Sequence, residues 1–185
     1  MSALSDYLEG QIRGHLFRTA TWSKPTVMAT ALMTSATADA DTGATAGEVT
    51  DANAYARQDL APLDANWTAP DTTGGLTDNA SAITFPTCTT STWGTVTHIR
   101  MVDSITHGAG NCFLHGALTA SKAVGVGDIF KFNIGDLDVT FARNRIRARL
   151  NTIPGEGITA WRRGPTLSCS GRQSNDTAPA TRFRL

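Results

Sequence analysis

The first residues of the chain carry a helical pattern of hydrophobic positions. One apolar residue recurs at every fourth position: Leu4, Leu8, Ile12 and Leu16. This spacing predicts an amphipathic helix within residues 1–20, with Ser2 as its N-cap and the acidic Asp6 near its start. Because Gly10 and Gly14 weaken so short a helix, we expect it to cover the open end of the protein's own core. Docking on a neighbouring subunit is the alternative.

A strand pattern follows the helix. Residues 26–34 are apolar almost throughout, which is typical of a buried strand, although Ala and Met also allow a helix. Residues 35–53 are mainly Ala, Thr, Asp and Gly, and this composition predicts a long surface loop. Six further runs, most of them rich in Thr, Val, Ile and Phe, lie between turn residues: Tyr55–Leu60, Ala80–Phe85, Gly94–Asp103, Asn111–Thr119, Asp128–Asn133 and Leu137–Phe141. With no second amphipathic helix between them, they predict a mainly β fold, an antiparallel β-sandwich or jelly roll, for residues 21–142.

The last 43 residues differ from this body. Arginine occupies every second position in one run: Arg143, Arg145, Arg147 and Arg149. A strand would place these arginines on one face, whereas a helix would align Ile146, Leu150 and Ile153, and the pattern leaves both open. Residues 154–185 have few periodic apolar positions and are expected to form an extended arm with Trp161 and Phe183 as anchors. We define the basic arm as residues 143–185.

The charge of the chain is divided between these two parts. The whole chain is neutral, with 16 basic and 16 acidic side chains. Residues 1–142 carry 7 basic and 14 acidic side chains, while the basic arm carries 9 arginines and 2 acidic residues. Such an arm can bind nucleic acid, its own body or a neighbour's body. Because it lacks lysine, and because arginine pairs well with carboxylates at interfaces, we expect assembly and no nucleic-acid partner.

The sequence offers no catalytic constellation. It contains no Gly-x-Ser-x-Gly motif of a serine hydrolase. Cys112 and His115 have the spacing of metal ligands, but on a strand they face opposite sides. Asp136 and Asp138 resemble a calcium or glycosidase pair, yet after Gly135 we interpret them as a turn and a strand start. We therefore predict no enzyme activity, catalytic residue, metal or cofactor.

Two further features concern the environment of the protein. The number of cysteines is odd, which argues against a disulfide framework but leaves their pairing open: Cys88, Cys112 and Cys169. No apolar run approaches the roughly 20 residues that span a bilayer, so we expect no membrane association.

Several motifs resemble a family of small bacteriophage virion proteins that are often labelled tail fibre or minor tail protein. The resemblance covers residues 3–142 and is strongest in four segments: Ser81-Ala-Ile-Thr-Phe-Pro86, Trp93-Gly-Thr-Val-Thr-His98, Phe113-Leu-His-Gly-Ala-Leu118 and Gly135-Asp-Leu-Asp-Val-Thr140. It implies a non-enzymatic β-sandwich subunit of a virion. Similar sandwich proteins also act as capsid cement or decoration subunits, commonly as trimers. The chain departs from the family pattern at Arg100, which stands in an apolar strand, and in the basic arm, which lies beyond the resemblance.

We therefore expect a structural subunit of a virion that is assembled in the host cytoplasm. It would be a tail fibre or minor tail protein, or a capsid cement protein, and would stabilise the particle as a homo-oligomer in contact with capsid or tail subunits. The predicted contact residues all lie in the basic arm: Arg143, Arg145, Arg147, Arg149, Trp161, Arg162, Arg163 and Phe183. The alternative is a receptor- or carbohydrate-binding module, which needs an exposed aromatic residue such as Trp67 or Trp93.

Overall fold

The computed structural model describes residues 2–70 and 75–140. In chain order, the helix and strands of this part are β1 (Ser2–Leu4), α1 (Asp6–Phe17), β2 (Ala29–Met33), β3 (Gln58–Asp59), β4 (Leu76–Asp78), β5 (Ile83–Thr87), β6 (Gly94–Val102), β7 (Cys112–Val124), β8 (Ile129–Phe132) and β9 (Asp138–Thr140). The fold is mainly β with one short helix near the N-terminus, as the hydrophobic pattern predicts. Within the described ranges, no helix is long and apolar enough to cross a membrane.

The strands form three antiparallel sheets. The largest has the order β1-β7-β6-β2-β3, and the ribbons β4-β9 and β5-β8 have two strands each. Buried side chains of the large sheet, such as Leu32 and Phe113, share one hydrophobic cluster with Phe85 and Phe130 of the β5-β8 ribbon. The rings of Phe85 and Phe130 meet edge to face at 5.9 Å. The core therefore lies between the large sheet and the ribbons.

Each of the seven predicted strand regions contains a strand. The predicted run Asn111–Thr119 extends further, because β7 continues to Val124. The region Tyr55–Leu60 holds the two-residue strand β3. Two strands were not predicted: β1 and β4. Both are three residues long, and so short a segment shows no period of its own.

The helix begins later than the sequence suggests, and the prediction that Ser2 caps it was wrong. Ser5 is the N-cap, and its side chain accepts a hydrogen bond from the backbone N–H of Leu8 at 3.2 Å. Ser2 instead belongs to β1, in which Ala3 lies opposite His115 of β7. Pairing with β7 satisfies backbone groups that an extra helical turn at a frayed end would leave exposed.

The first half of α1 covers the core of the same chain, which confirms the expected role of the helix. Leu8 is buried in the core, and Tyr7 packs against it with its ring 5.9 Å from that of Phe113. The second half leaves the core. Leu16 is 65% exposed and Phe17 is 81% exposed.

Candidate interaction surfaces

The predicted contact residues of the basic arm lie outside the described residues: Arg143, Arg145, Arg147, Arg149, Trp161, Arg162, Arg163 and Phe183.

One basic residue of the body, Arg57, is buried and donates all five of its N–H groups. Its Nε and Nη2 bind the two carboxylate oxygens of Glu48 at 2.8 and 2.7 Å. Its Nη1 donates to the carbonyl oxygens of Ser104 and Ala109 at 2.9 and 2.8 Å. Nη2 also donates to the carbonyl oxygen of Gly43 at 2.8 Å. Arg57 thus joins two loops that are far apart in the sequence, with no donor unsatisfied.

Arg100, the departure from the family pattern, is also fully buried. Its Nη1 donates to the carbonyl oxygens of Thr42 and Thr45 at 2.7 and 3.1 Å. Its Nη2 lies 3.5 Å from the carboxylate of Asp41. All three partners belong to residues 35–53, which were predicted to be a surface loop. This segment contains no helix and no strand of the three sheets. Both buried arginines nevertheless donate hydrogen bonds to its backbone carbonyl oxygens.

The hydroxyl of Tyr55 extends the network around Glu48. It donates to Glu48 Oε1 at 2.9 Å and accepts from the backbone N–H of Leu32 at 3.0 Å. Burial, and secondly the negative charge of Glu48, raise the pKa of Tyr55 above its ordinary value. Glu48 is therefore compensated by both Arg57 and Tyr55, and this carboxylate is held inside the protein.

The surface of the described body is acidic. With Arg57 and Arg100 buried, its exposed basic residues are Arg13, Arg18, Lys24, Lys122 and Lys131. The exposed acidic residues outnumber them: Asp6, Asp39, Asp51, Asp59, Asp64, Asp128, Asp136 and Asp138. Their sign is opposite to that of the basic arm, so the body offers carboxylates to an arginine-rich partner.

A groove of about 580 Å³ opens beside β7, β8 and β9. Buried apolar side chains line it, including Leu114, Phe130 and Phe132. The charged lining residues are Lys122, Lys131, Asp136 and Asp138. Thr140, the last residue before the undescribed C-terminal segment, also lines the groove. The groove is thus a place where core residues can be reached from outside.

Two strand edges and one irregular segment of β7 lie at this groove in the described part of the chain. Among the described residues, β8 pairs with β5 alone and β9 pairs with β4 alone. In β7, the register with β6 shifts between Ala117 and Lys122, so residues 118–121 form a bulge without partners in β6. The lining of the groove therefore combines apolar side chains with strand edges that lack a second partner in the described part of the chain.

The predicted turn at Asp136 is confirmed. The carboxylate of Asp136 accepts from the backbone N–H of Asn133 at 2.8 Å and from its side-chain amide at 3.0 Å. Asp138 begins β9 and lies opposite Asp78 of β4. Partial burial, and secondly the Asp138 carboxylate, raise the pKa of Asp78. The two aspartates of the sequence motif thus have separate roles, one in the turn and one in a cross-strand pair.

Cys112 and His115 do not converge on a common site. Cys112 is buried in a small cluster with Ala29 and Val102, and this burial raises the pKa of its thiol to about 12. The imidazole Nε2 of His115 lies 3.0 Å from the carboxylate of Asp39. Within residues 2–70 and 75–140, no group of three metal-ligating side chains is found.

The two candidate tryptophans differ in exposure. Trp93 is buried, and its indole N–H donates to the carbonyl oxygen of Asn53 at 3.0 Å. Trp93, one of the two candidates for an exposed aromatic platform, does not provide one, because its ring packs in the hydrophobic core against Tyr55 at 5.4 Å. Trp67 is partly buried, donates to the carbonyl oxygen of Leu60 at 3.1 Å and lines a shallow depression with Lys24 and Pro62.

Comparison with known proteins identifies the family. The family described as Podophage GP4 fiber I protein gp80 matches residues 3–140. The chain belongs to this podophage fibre family. No curated protein matches the chain. Membership makes it a structural protein of the phage virion, associated with other virion proteins, in agreement with the resemblance seen in its motifs. The family match ends at residue 140, so the basic arm lies outside the region that defines the podophage fibre family.

Proposed function

We propose that this fibre-family protein is a non-enzymatic subunit of the phage tail that assembles through its basic arm. The β body is the scaffold, and residues 143–185 bind the acidic surface of a second copy. One observation carries the proposal: the body has a net charge of −7 and the arm a net charge of +7. The burial of Arg57 and Arg100 strengthens it, because two of the seven basic groups of the body cannot oppose the acidic surface.

The size of the arm is adequate for such an interface. A standard interface buries about 800 Å² per partner and involves 20–30 residues a side, and the arm has 43 residues. Arginine forms forked hydrogen bonds with carboxylates, as Arg57 does with Glu48 inside the body. Charges at an exposed interface are screened by salt, so the association should weaken as ionic strength rises.

The location in the particle can be tested by stoichiometry. We expect quantitative mass spectrometry of purified virions to find far fewer copies of this protein than of the major capsid protein. Such a ratio agrees with a tail fibre or minor tail component. A copy number comparable to that of the capsid protein would instead indicate a cement protein, and absence from virions would contradict both assignments.

The role of the arm can be tested in the full-length protein. A variant with serine at positions 143, 145, 147 and 149 loses four arginines, and we expect self-association to weaken by about tenfold or more. The matched control replaces four exposed cations of the body with serine: Arg13, Arg18, Lys24 and Lys122. It changes the net charge equally but leaves the arm intact, so association should persist.

Sedimentation at increasing NaCl concentration distinguishes the outcomes. Equal association of both variants, or a wild-type protein that stays monomeric at every concentration, would contradict assembly between copies through the arm.

A second candidate function is receptor binding at Trp67. The depression of about 530 Å³ that Trp67 lines is the supporting observation, because an aromatic face in a recess is suited to stacking on a sugar ring. A glycan-binding screen should then show binding that is lost in Trp67→Ala and retained in Trp67→Phe. Binding that is unaffected by Trp67→Ala would exclude this site.

A further inference from the structure

The ribbon β4-β9 contains two aspartates that face each other directly. Asp78 lies opposite Asp138 in the register of the two strands. The backbone N–H of Asp78 donates to the hydroxyl of Thr68 at 2.8 Å, and its C=O accepts from the backbone N–H of Thr68 at 2.9 Å. Because these groups are not available to Asp138, the two aspartates form a non-hydrogen-bonded pair, in which the Cα atoms are only about 4.5 Å apart. Their carboxyl groups are therefore held close together.

Neither carboxyl group of this pair is compensated by a cation in the described part of the chain. The charged side chains nearby line the groove and the depression beside Trp67: Lys122, Lys131, Asp136, Lys24 and Asp64. Within residues 2–70 and 75–140, none of these lysines forms an ion pair with Asp78 or Asp138. The Oδ1 atom of Asp78 is buried and has no hydrogen-bond partner there. Two such carboxyl groups are accommodated most easily when one of them keeps a proton.

We propose that Asp78 and Asp138 share one proton and form a pH-dependent latch that holds β9 on β4 in acid and loosens it as the pH rises. The protonated carboxyl group of Asp78 donates to the carboxylate of Asp138. When the proton passes to solvent, two like charges oppose each other across the ribbon, which is destabilising.

The direction of the pH effect follows from the environment of Asp78. Partial burial, and secondly the Asp138 carboxylate, raise its pKa above the ordinary value of 3.8. The folded ribbon thus holds a proton that the open ribbon releases. Stabilisation by the latch is complete below the ordinary pKa and is lost as the pH rises through the raised pKa.

The surrounding contacts confine this effect to β9. Asn79 is fully buried and anchors the turn that precedes the strand. Its side-chain amide donates to the carbonyl oxygen of Asn133, and its Oδ1 accepts from the backbone N–H of Leu137, both at 2.8 Å. Beyond this anchor, β9 pairs with β4 alone among the described residues. Because β9 lines the groove, the latch determines how firmly one wall of the groove is held.

Hydrogen exchange of the full-length protein, resolved by NMR, tests the latch. Since pair types alternate along an antiparallel ribbon, Val139 and Thr77 form the hydrogen-bonded pair next to the aspartates, and the amide of Val139 reports ribbon opening. Its protection factor, which is corrected for the intrinsic pH dependence of exchange, should fall by about two- to fivefold between about pH 4 and about pH 7. This is the size expected for two like charges across a strand pair.

Variants that remove one charge of the pair should abolish this fall. In Asp78→Asn, the amide donates to Asp138 at every pH, as the protonated carboxyl group does, so Val139 should keep its acid protection near pH 7. Asp138→Asn removes the opposing charge from the exposed side and should have the same effect. The matched control is Asp64→Asn, which changes the net charge equally at an exposed aspartate beside Thr77 and should behave as the wild type.

Two further sets of amides separate the latch from a general change in stability. The amide of Leu137 reports the anchored turn, and the amides of β2 report the body, because every residue of β2 is buried. Their protection factors should not change with pH. Three results would each overturn the proposal: constant protection of Val139 in the wild type, an undiminished fall in both pair variants, or an equal fall at Leu137 and β2. None of these measurements involves the basic arm, so the latch is tested independently of assembly.

Discussion

Arg57 and Glu48 form a forked ion pair inside the body, with side chains that are 0% and 4% exposed. Along the sequence, Glu48 precedes Tyr55 and Arg57 follows it, and the hydroxyl of Tyr55 donates a hydrogen bond to the same Glu48 carboxylate. Through its remaining N–H groups, Arg57 also binds the carbonyl oxygens of the loops at Gly43, Ser104 and Ala109. One buried cation therefore determines how these loops are held at the edge of the large sheet.

Removal of the Arg57 side chain should strongly destabilise the protein. In Arg57→Ala, Glu48 remains as a buried charge without its partner, which costs about 3–5 kcal/mol in comparable cases. Arg57→Lys should fall between the wild type and Arg57→Ala, because an ammonium group cannot reproduce five fixed donors. Urea unfolding followed by tryptophan fluorescence measures the free energy of unfolding.

A surface ion pair provides the control for this measurement. Arg13 and Glu9 form an exposed pair at 2.9 Å on α1, with a nearly identical distance but free access to water. Arg13→Ala should change the free energy of unfolding by less than about 1 kcal/mol. Similar losses for Arg13→Ala and Arg57→Ala would show that burial of the Arg57 pair does not matter.

The raised pKa of Tyr55 predicts a loss of stability at alkaline pH. The folded protein holds the phenol proton above about pH 10, where the unfolded chain releases it. The unfolded state then binds fewer protons, so the free energy of unfolding falls with pH by up to about 1.4 kcal/mol per unit. The stabilisation is complete below the unfolded pKa and is lost as the pH rises above it.

The matched variant for this effect is Tyr55→Phe. Its free energy of unfolding should be lower at neutral pH, because Leu32 and Glu48 each lose a hydrogen bond. Its decline between pH 10 and the end of the alkaline range should be shallower than that of the wild type. Parallel curves for the two proteins would refute the assignment to Tyr55.

Two glycines should respond to alanine substitution in opposite directions. A Cβ at Gly10 of α1 has no neighbouring atom within 4 Å, so Gly10→Ala should stabilise the protein by about 0.5–1 kcal/mol through helix propensity. A Cβ at Gly43 would overlap the carbonyl oxygen of Ala109. Gly43→Ala should therefore cost about 1–3 kcal/mol. Thermal or urea unfolding gives both values, and a stable Gly43→Ala protein would contradict the close loop contact.

Cys112 should be unreactive in the folded protein. Because burial raises the pKa of its thiol to about 12, the thiolate fraction at pH 8 is only about one in ten thousand, and access is blocked as well. Maleimide labelling with localisation by mass spectrometry should leave Cys112 unmodified in the native protein and modify it in urea. Rapid labelling of Cys112 without denaturant would show that the Ala29–Val102 cluster opens readily.

The fold was predictable to the extent that its signals are local. Period-two patterns and turn residues act within a few positions, so all seven strand regions and the turn at Asp136 could be found from the sequence. The cap of α1 was misplaced because Ser2 and Ser5 are equally good caps locally. The choice depended on pairing of β1 with β7, more than 100 residues further along the chain.

The interaction surfaces were predictable in part. The opposite charges of body and arm follow from counting residues, and the arm residues chosen as contacts stay predictions because they lie outside the described ranges. The burial of Arg57 and the groove were not visible in the sequence. A lone arginine in a polar stretch has no local feature that distinguishes a buried ion pair from a solvated side chain.

The sequence by itself therefore determined the antiparallel β class, the positions of most strands along the chain, and the division into an acidic body and a basic arm. The strands follow from periodic patterns within a few neighbouring residues, and the net charge is a sum over residues. Neither requires knowledge of which distant residues are in contact. The tertiary structure alone decided which arginines are buried and which strand edges meet at the groove. Those outcomes depend on contacts such as Arg57 with Ala109 and Arg100 with Thr42, 52 and 58 positions apart, which arise only when the sheets pack.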